Sequence, residues 1–197
     1  MISETAKATL RSKMEIYEGR INHMYLDSKG LVTVGVGHLL KDLASAQALN
    51  FKKSDNKPAS KEEIKADYEA VKKQPTNRMA SFYKKSAKLH LADADINILT
   101  NKHINNFESE LKKIFPDFST YPNEVQLALF DIIFNVGMTD LNNKWPTFKK
   151  AVIDKDWAVA AKESNRKPPI SAERNKYVKD LFDKAASSVA ASKTTKL

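Results

Sequence analysis

The sequence lacks cysteine and contains only five glycines in 197 residues. Without cysteine, a disulfide framework, thiolate metal sites and cysteine nucleophiles are excluded. No run of residues is apolar and long enough to span a bilayer, and the first residues have neither the apolar core nor the cleavage site of a secretory signal. We therefore expect a protein made in a reducing cytoplasm, which depends on another factor if its target lies outside.

The composition is that of a folded, basic protein. Hydrophobic residues make up 42% of the chain, which is enough to bury a core as one domain or as two small lobes. Lysine and arginine total 33 against 24 aspartates and glutamates, so the formal net charge is +9. This charge favours an anionic partner such as nucleic acid, a membrane or a bacterial wall polymer, and it does not choose among them.

The N-terminal part of the chain has the pattern of a helix followed by a hairpin. Apolar residues at helical spacing predict a short amphipathic helix over residues 4–18, with Ser3 as its N-cap and Gly19 as its stop. Residues 24–27 and 31–36 then read as two strands joined by a tight turn. We expect a small β-hairpin directly after the first helix.

The rest of the chain is predicted to be helical. Ser60 and Glu63 form a capping box that opens a helix ending near Pro75, and an apolar stripe predicts a long helix over about 93–115. Asn123 is expected to cap a buried helix with no polar face. Three shorter helices are expected at about 146–154, 156–165 and 172–184, the last one capped by Ser171.

These elements together predict an α+β protein that is mainly helical. We expect a small lobe with the hairpin, about 16–92, and a larger helical lobe, about 93–186 plus the N-terminal helix, joined by the long helix. Residues 1–190 would form a single domain, and residues 187–197 a flexible tail.

Four of the five glycines lie within the stretch 17–38, beside two carboxylates. Breaking a glycosidic bond needs one carboxylic acid that protonates the leaving oxygen and a second carboxylate that directs water or attacks. Glu18 ends the predicted helix, where the negative end of the helix dipole disfavours its ionised form, whereas Asp27 lies in a solvated turn. Glu18 and Asp27 are therefore candidates for an acid and base pair.

The second predicted strand supplies the other candidate groups. Thr33 is expected on the face opposite the valines, where its hydroxyl could hold a water beside Asp27. Gly35 and Gly37 are expected to share that face and to clear space for a sugar ring. The same pattern also fits an ordinary surface hairpin, because loops collect these residue types.

A specific series of residue types runs through this stretch: Glu18-Gly19, Tyr25-Leu26-Asp27, Gly30 and Thr33-Val34-Gly35-Val36-Gly37-His38. In types, order and spacing it resembles the active-site signature of phage-type lysozymes, glycoside hydrolase family 24. Phe134-Asn135-Val136-Gly137 resembles the family's motif at the end of its buried central helix, and the likeness is weaker around Trp157 and Arg174. Residues 41–90 show little of it and are longer than in the compact phage enzymes.

The resemblance implies a lysozyme-like fold and a muramidase activity. It makes Glu18 the general acid, Asp27 the carboxylate that activates water, and Thr33 the residue that positions this water. The family's substrate is the β-1,4 bond between N-acetylmuramic acid and N-acetylglucosamine in peptidoglycan, hydrolysed without a metal or organic cofactor. Inversion would place the two carboxyl groups about 6.5–9.5 Å apart.

The resemblance also suggests residues that contact or support the substrate. His38 would pair with an acid of the long helix, which instead offers Asn101, Lys102 and His103 near the matching position, so its partner stays open. Asn135 either contacts an acetamido group or bonds to backbone, and Arg174 either meets peptide carboxylates or is solvated. The full set of expected substrate-binding residues is Gly35, Gly37, His38, Leu39, Asn135 and Arg174.

Two other functions remain open at this point. A lytic transglycosylase needs a catalytic glutamate but can dispense with the second carboxylate, and a basic wall-binding or nucleic-acid-binding module needs neither. For the muramidase we expect peptidoglycan glycan strands as the partner, without nucleic acid or stable membrane insertion, and a monomer. It would act in the periplasm or on the wall as an endolysin released by a holin, or as an effector delivered by a secretion system such as type VI, with a possible immunity protein.

Overall fold

The computed structural model describes residues 2–168 and 170–194. The chain divides into two compact units. One, here called the hairpin unit, comprises residues 11–103, and the other, the helical unit, comprises the residues up to 10 together with those from 104 onward. The expectation that residues 1–190 act as a single catalytic domain stays a prediction.

Within the described residues, three short strands and nine α-helices form an α+β protein that is mainly helical, as the sequence predicted. None of the described helices is long and apolar enough to cross a membrane. The elements are α1 (Glu4–Glu18), β1 (Ile21–Leu26), β2 (Val32–Gly35), β3 (His38–Leu39), α2 (Leu43–Gln47), α3 (Lys61–Lys72), α4 (Ala80–Tyr83), α5 (Asp93–Ile114), a 3-10 turn (Phe118–Thr120), α6 (Asn123–Lys144), α7 (Pro146–Ile153), α8 (Trp157–Glu163) and α9 (Ala172–Thr194).

The first helix has the predicted bounds because both of its ends carry local stop signals. The Ser3 hydroxyl accepts a hydrogen bond from the Ala6 N–H at 3.1 Å, which satisfies a donor of the first turn. At the other end the Gly19 N–H donates to the Glu15 carbonyl oxygen at 2.9 Å. Glu18 is therefore the last helical residue, as predicted.

The hairpin is also confirmed, with a third strand that the sequence did not indicate. The strands β1 and β2 pair antiparallel with Tyr25 opposite Thr33, and β3 adds to the other edge of β2 with His38 opposite Val34. All four residues of β2 are buried. The face of β2 that carries Thr33 is therefore covered as well as the face that carries the valines.

The segment between the hairpin and α5 belongs to the hairpin unit. Its helix α3 begins with the predicted capping box, in which Ser60 and Glu63 exchange side-chain and backbone hydrogen bonds. The short helix α2 precedes it and was not predicted. Backbone bridges join Lys52 to Pro58 and to His90, so this segment is held against itself by strand-like pairing.

The helical unit is built around α6. Leu129, Ile132 and Ile133 of this helix are fully buried. The expected cap by Asn123 is wrong: Pro122 occupies the N-cap position without a side-chain hydrogen bond, and the Gln126 amide donates to the Tyr121 carbonyl oxygen instead. Gly137, with φ of 75° and ψ of 164°, kinks the helix, a conformation that glycine adopts without steric cost.

The three shorter helices predicted near the C-terminus are present as α7, α8 and α9. The Ser171 hydroxyl accepts a hydrogen bond from the Arg174 N–H, as expected of a cap. The last helix continues to Thr194, further than the predicted end. Residues 195–197 of the expected flexible tail lie outside the described residues, and its mobility stays a prediction.

Candidate active site

Glu18 is exposed at the end of α1, and an arginine fixes this end of the helix within the hairpin unit. The guanidinium of Arg20 donates to Glu15 Oε1 at 2.6 Å, to Asp93 Oδ1 at 3.1 Å and to the Asp93 carbonyl oxygen at 2.9 Å. These bonds tie the end of α1 to the start of α5. Sequence reasoning did not find Arg20, because its partner Asp93 lies 73 residues away and leaves no local spacing signal.

Gly37 lies directly beside the Glu18 carboxyl group. Its φ is +65°, in the left-handed region, and a Cβ at this position would lie 3.6 Å from Glu18 Oε2. A Cβ at Gly35 would lie 3.5 Å from Cγ2 of Ile96 on α5. The two glycines therefore have different neighbours: Gly37 leaves room next to the acid, while Gly35 allows close packing against α5. That they share one face stays a prediction.

Asp27 is half-buried in the turn between β1 and β2, and its carboxylate is oriented by the turn itself. Its Oδ1 accepts hydrogen bonds from the N–H groups of Lys29 and Leu31, at 2.8 and 2.9 Å. No described residue donates to its Oδ2. Short polar side chains commonly form such local turns, and this one holds the carboxylate in one orientation with one oxygen free of protein donors.

Thr33 is only 3% exposed, because both faces of β2 are covered. Its hydroxyl donates to the Leu31 carbonyl oxygen at 3.1 Å. A threonine hydroxyl has one donor and two acceptor positions, so after this bond it can still accept a hydrogen bond. The group can therefore orient a water molecule as an acceptor and not as a donor.

The phenol of Tyr25 is affected by the charges of both carboxylates. Tyr25 is the cross-strand partner of Thr33 on β1. Burial, together with the negative charges of Glu18 and Asp27, raises the pKa of the Tyr25 phenol to about 12. The phenol thus remains protonated at neutral pH, where the negative charges of both acids act on it.

His38 pairs with a histidine and not with the acid that the resemblance implied. Its Nδ1 lies 2.9 Å from Nε2 of His103 on α5, so one of the two nitrogens donates a proton and the other accepts it. Burial, followed by the charges of His103 and Lys102, lowers the pKa of His38 to about 4. Burial and Lys102 lower the pKa of His103 as well. The pair is therefore neutral at neutral pH.

Two predicted binding residues belong to the helical unit. Asn135 on α6 accepts a hydrogen bond from the Arg166 guanidinium at 2.7 Å, which leaves its amide N–H group as the available donor. Asn135 lines a cavity of about 810 Å³, whose other walls include Trp145 and Arg166. A contact of Asn135 with substrate stays a prediction.

Arg174 is 7% exposed, so the alternative of a solvated arginine is wrong. Its Nε donates to both carboxylate oxygens of Asp131 at 3.1 Å, and Arg166 donates to the same carboxylate at 2.6 Å. Its guanidinium also lies 5.7 Å from the centre of the Phe134 ring. These contacts give Arg174 a structural role in the helical unit, and its contact with substrate peptides stays a prediction.

Seven of the predicted site residues thus belong to the hairpin unit, and β3 places Leu39 opposite Thr33. These seven residues are Glu18, Asp27, Thr33, Gly35, Gly37, His38 and Leu39. The described residues contain no group of three or more side chains that could hold a metal ion.

Comparison with known protein families gives a match over most of the chain. The model of a family described as phage lysozyme matches residues 15–168, which is more than three quarters of the chain and includes all the predicted site residues except Arg174. No curated protein matches the chain.

Proposed function

Because this chain belongs to the phage lysozyme family, we propose that it is a muramidase that hydrolyses the β-1,4 bond between N-acetylmuramic acid and N-acetylglucosamine. Membership of this family makes the chain a lytic enzyme that acts on bacterial peptidoglycan. The bond that it cleaves and the roles of the individual residues are part of the proposal.

In this proposal Glu18 is the general acid. It ends α1, where the carbonyl groups of the last turn are unfavourable for a negative charge, and Arg20 keeps this helix end in place. Gly37 leaves the space beside Oε2 open, so the oxygen of a glycosidic bond can approach the acid. Glu18 would protonate this leaving oxygen as the bond breaks.

Asp27 is the proposed base and Thr33 its water-positioning partner. The turn hydrogen bonds occupy Oδ1 of Asp27, so Oδ2 can take a proton from the attacking water. The Thr33 hydroxyl, which already donates to Leu31, would accept the other hydrogen of this water. Water would then attack the anomeric carbon from the side opposite to Glu18, with inversion.

The observation that carries the proposal is the position of the two acids relative to β2. Asp27 lies in the turn that precedes this strand, and Glu18 lies beside Gly37, two residues after the strand ends. Glycoside hydrolysis requires two carboxyl groups from separate parts of a site, one on each side of the sugar. Gly35, Gly37, His38 and Leu39 are proposed to line the sugar path. Substrate contacts of Asn135 and of Arg174 are separate proposals.

Digestion of purified sacculi by wild type, Glu18→Gln and Asp27→Asn tests the proposal. We expect both variants to lose activity while circular dichroism shows an unchanged fold, because the amides can neither donate nor take the required proton. Glu4→Gln, the same change at the exposed start of α1, serves as the matched control and should retain activity.

Mass analysis of the released fragments identifies the reaction. Reducing N-acetylmuramic acid ends are expected, whereas anhydro ends would identify a lytic transglycosylase. An Asp27→Asn variant with full activity would remove the base from the mechanism. This experiment does not test four other predictions, which are release by a holin, delivery by a secretion system, an immunity protein and the monomeric state.

A further inference from the structure

The basic charge of the chain is concentrated in the segment between the hairpin and α5. Residues 41–92 contain eleven lysines and one arginine against six aspartates and glutamates, so about a quarter of the chain carries +6 of its net +9. The catalytic proposal uses no residue of this segment. A surface of this charge attracts anionic groups in general, so a specific site needs a further structural feature.

Such a feature is a cavity of about 260 Å³ within the hairpin unit. No carboxylate lines it, while two lysines, two histidines, a serine and an asparagine do. Its size is below the range of about 300–1,000 Å³ that holds a drug-sized ligand, so it suits a small group and not a whole sugar chain. The lining residues are Asn22, His23, Ser54, Lys84, Ala87, Lys88, Leu89 and His90.

The two lysines of this cavity are not neutralised by salt bridges. Both are exposed, and in the parts of the chain that the structure describes neither Lys84 nor Lys88 lies within 4 Å of a carboxylate oxygen. The carboxylate of Asp67 lies against the backbone of Lys88, but its two oxygens accept hydrogen bonds from the N–H groups of Lys88 and Leu89, at 2.8 and 2.9 Å. Its side chain is 5% exposed, and the charge of Lys88 acts on it without an ion pair within 4 Å.

The backbone around the cavity is held in place on both sides. Lys52 and His90 exchange both of their backbone hydrogen bonds, at 2.8 and 2.9 Å, and the Leu91 N–H donates to the Asn22 carbonyl oxygen at 2.8 Å. The ring nitrogen Nε2 of His23 donates to the Ala80 carbonyl oxygen at 2.9 Å. These bonds exist without a ligand, so the backbone beside the cavity would not have to be ordered when an anion binds.

We propose that this cavity binds a phosphate ester group of the bacterial envelope. The ammonium groups of Lys84 and Lys88 would be its counter-ions, and the Ser54 hydroxyl would donate a hydrogen bond to it. A phosphate ester fits this set because it carries negative charge on several acceptor oxygens, which two cations and a hydroxyl can share. The site would retain the enzyme at the envelope without taking part in bond cleavage.

Titration of ¹⁵N-labelled protein with inorganic phosphate tests the site directly. We expect saturable shifts of the amide signals of Ser54, Lys88 and His90. The double variant Lys84→Ala/Lys88→Ala should bind phosphate at least about tenfold more weakly than wild type, because two charged donors are lost. Lys72→Ala/Lys73→Ala removes the same charge from exposed positions outside the cavity and should bind like wild type. Non-saturable shifts, or equal losses in the two double variants, would overturn the proposal.

Three further ligands distinguish the sources of such a phosphate group: a glycerol phosphate polymer, vesicles of phosphatidylglycerol with phosphatidylcholine, and duplex DNA. Binding to the polymer or to the vesicles that is lost in Lys84→Ala/Lys88→Ala identifies the envelope source. Preference for duplex DNA over both would overturn the envelope assignment.

The inference and the proposed function can fail independently. Both double variants should digest glycan strands stripped of phosphate polymers at the wild-type rate, since neither pair belongs to the catalytic group. If Lys84→Ala/Lys88→Ala lost phosphate binding and also digested the stripped glycan strands more slowly than wild type, the separation of the two sites would be overturned. If wild type left sacculi intact but still bound phosphate, the muramidase activity would be refuted and the phosphate site would not.

Discussion

Substitution of Gly37 by alanine tests whether the space beside Glu18 is needed for catalysis. Gly37 has φ of +65°, and a left-handed conformation costs a residue with a Cβ roughly 1–2 kcal/mol. The new methyl group would lie 3.6 Å from Glu18 Oε2, an ordinary contact that adds no clash. We therefore expect the free energy of unfolding to fall by about 1–2 kcal/mol.

A loss of this size cannot by itself explain a loss of activity. Domains are typically stable by about 5–15 kcal/mol, so more than about 99% of the molecules would remain folded. The methyl group, however, occupies the approach to the acid, and small misplacements of reacting groups cost up to about 100-fold in rate. For Gly37→Ala we expect a 10- to 100-fold slower release of glycan fragments, about tenfold or more beyond any effect of unfolding.

Gly137→Ala is the matched control for this experiment. Its φ of +75° and ψ of 164° lie in a region that is essentially restricted to glycine, so alanine is strained there too, but its added Cβ would meet no atom of the described residues within 4 Å. Unfolding in urea measures the stability of both variants, and the turbidity of permeabilised cells or the soluble glycan measures their activity. If Gly37→Ala digests glycan as fast as Gly137→Ala, the open space beside Glu18 has no catalytic purpose and the reasoning fails.

Three other predictions concern the pairs found in the structure. The stability of the protein should fall as the pH drops from about 6.5 to about 4, because unfolded His38 takes up a proton in this range while folded His38 does not. His103→Glu should reverse this pH dependence by stabilising the protonated ring. Urea unfolding at several pH values measures it, and the same pH dependence in wild type and His103→Glu would contradict the prediction. Arg166→Met should cost about 3–5 kcal/mol of unfolding free energy, since it leaves a buried carboxylate with one cation fewer, and a loss below about 1 kcal/mol would contradict this. Tyr25→Phe should alter the pH profile of kcat but not the fold, because it removes a phenol that interacts with both acids; an identical profile would place the phenol outside the reaction.

The local elements of this protein could be predicted because their signals lie within a few residues of each other. Ser3 and Gly19 bound α1, Ser60 and Glu63 cap α3, and the position of Glu18 at a helix end follows from the first pair. One local signal failed. Pro122 replaced Asn123 as the N-cap of α6, since a capping pattern leaves the register of the first turn uncertain by one residue.

The partners within the site could not be predicted in the same way. The resemblance implied an acid for His38, and the partner is His103, 65 residues away. The separation of Gly35 and Gly37 onto different neighbours also depends on where α1 and α5 pack against the strands. Alternation along a strand gives the direction of a side chain but not what covers that face.

What the amino-acid sequence determined by itself is the order of the longer helices, the hairpin and the family, because each of these depends on short-range patterns or on a motif of adjacent residues. What only the tertiary structure decided is which charges are neutralised. Asp131 is paired with two arginines and Asp67 is enclosed by backbone donors, while Lys84 and Lys88 remain available beside a cavity. Pairing of this kind depends on distances between elements that are far apart in the chain, and packing alone sets those distances.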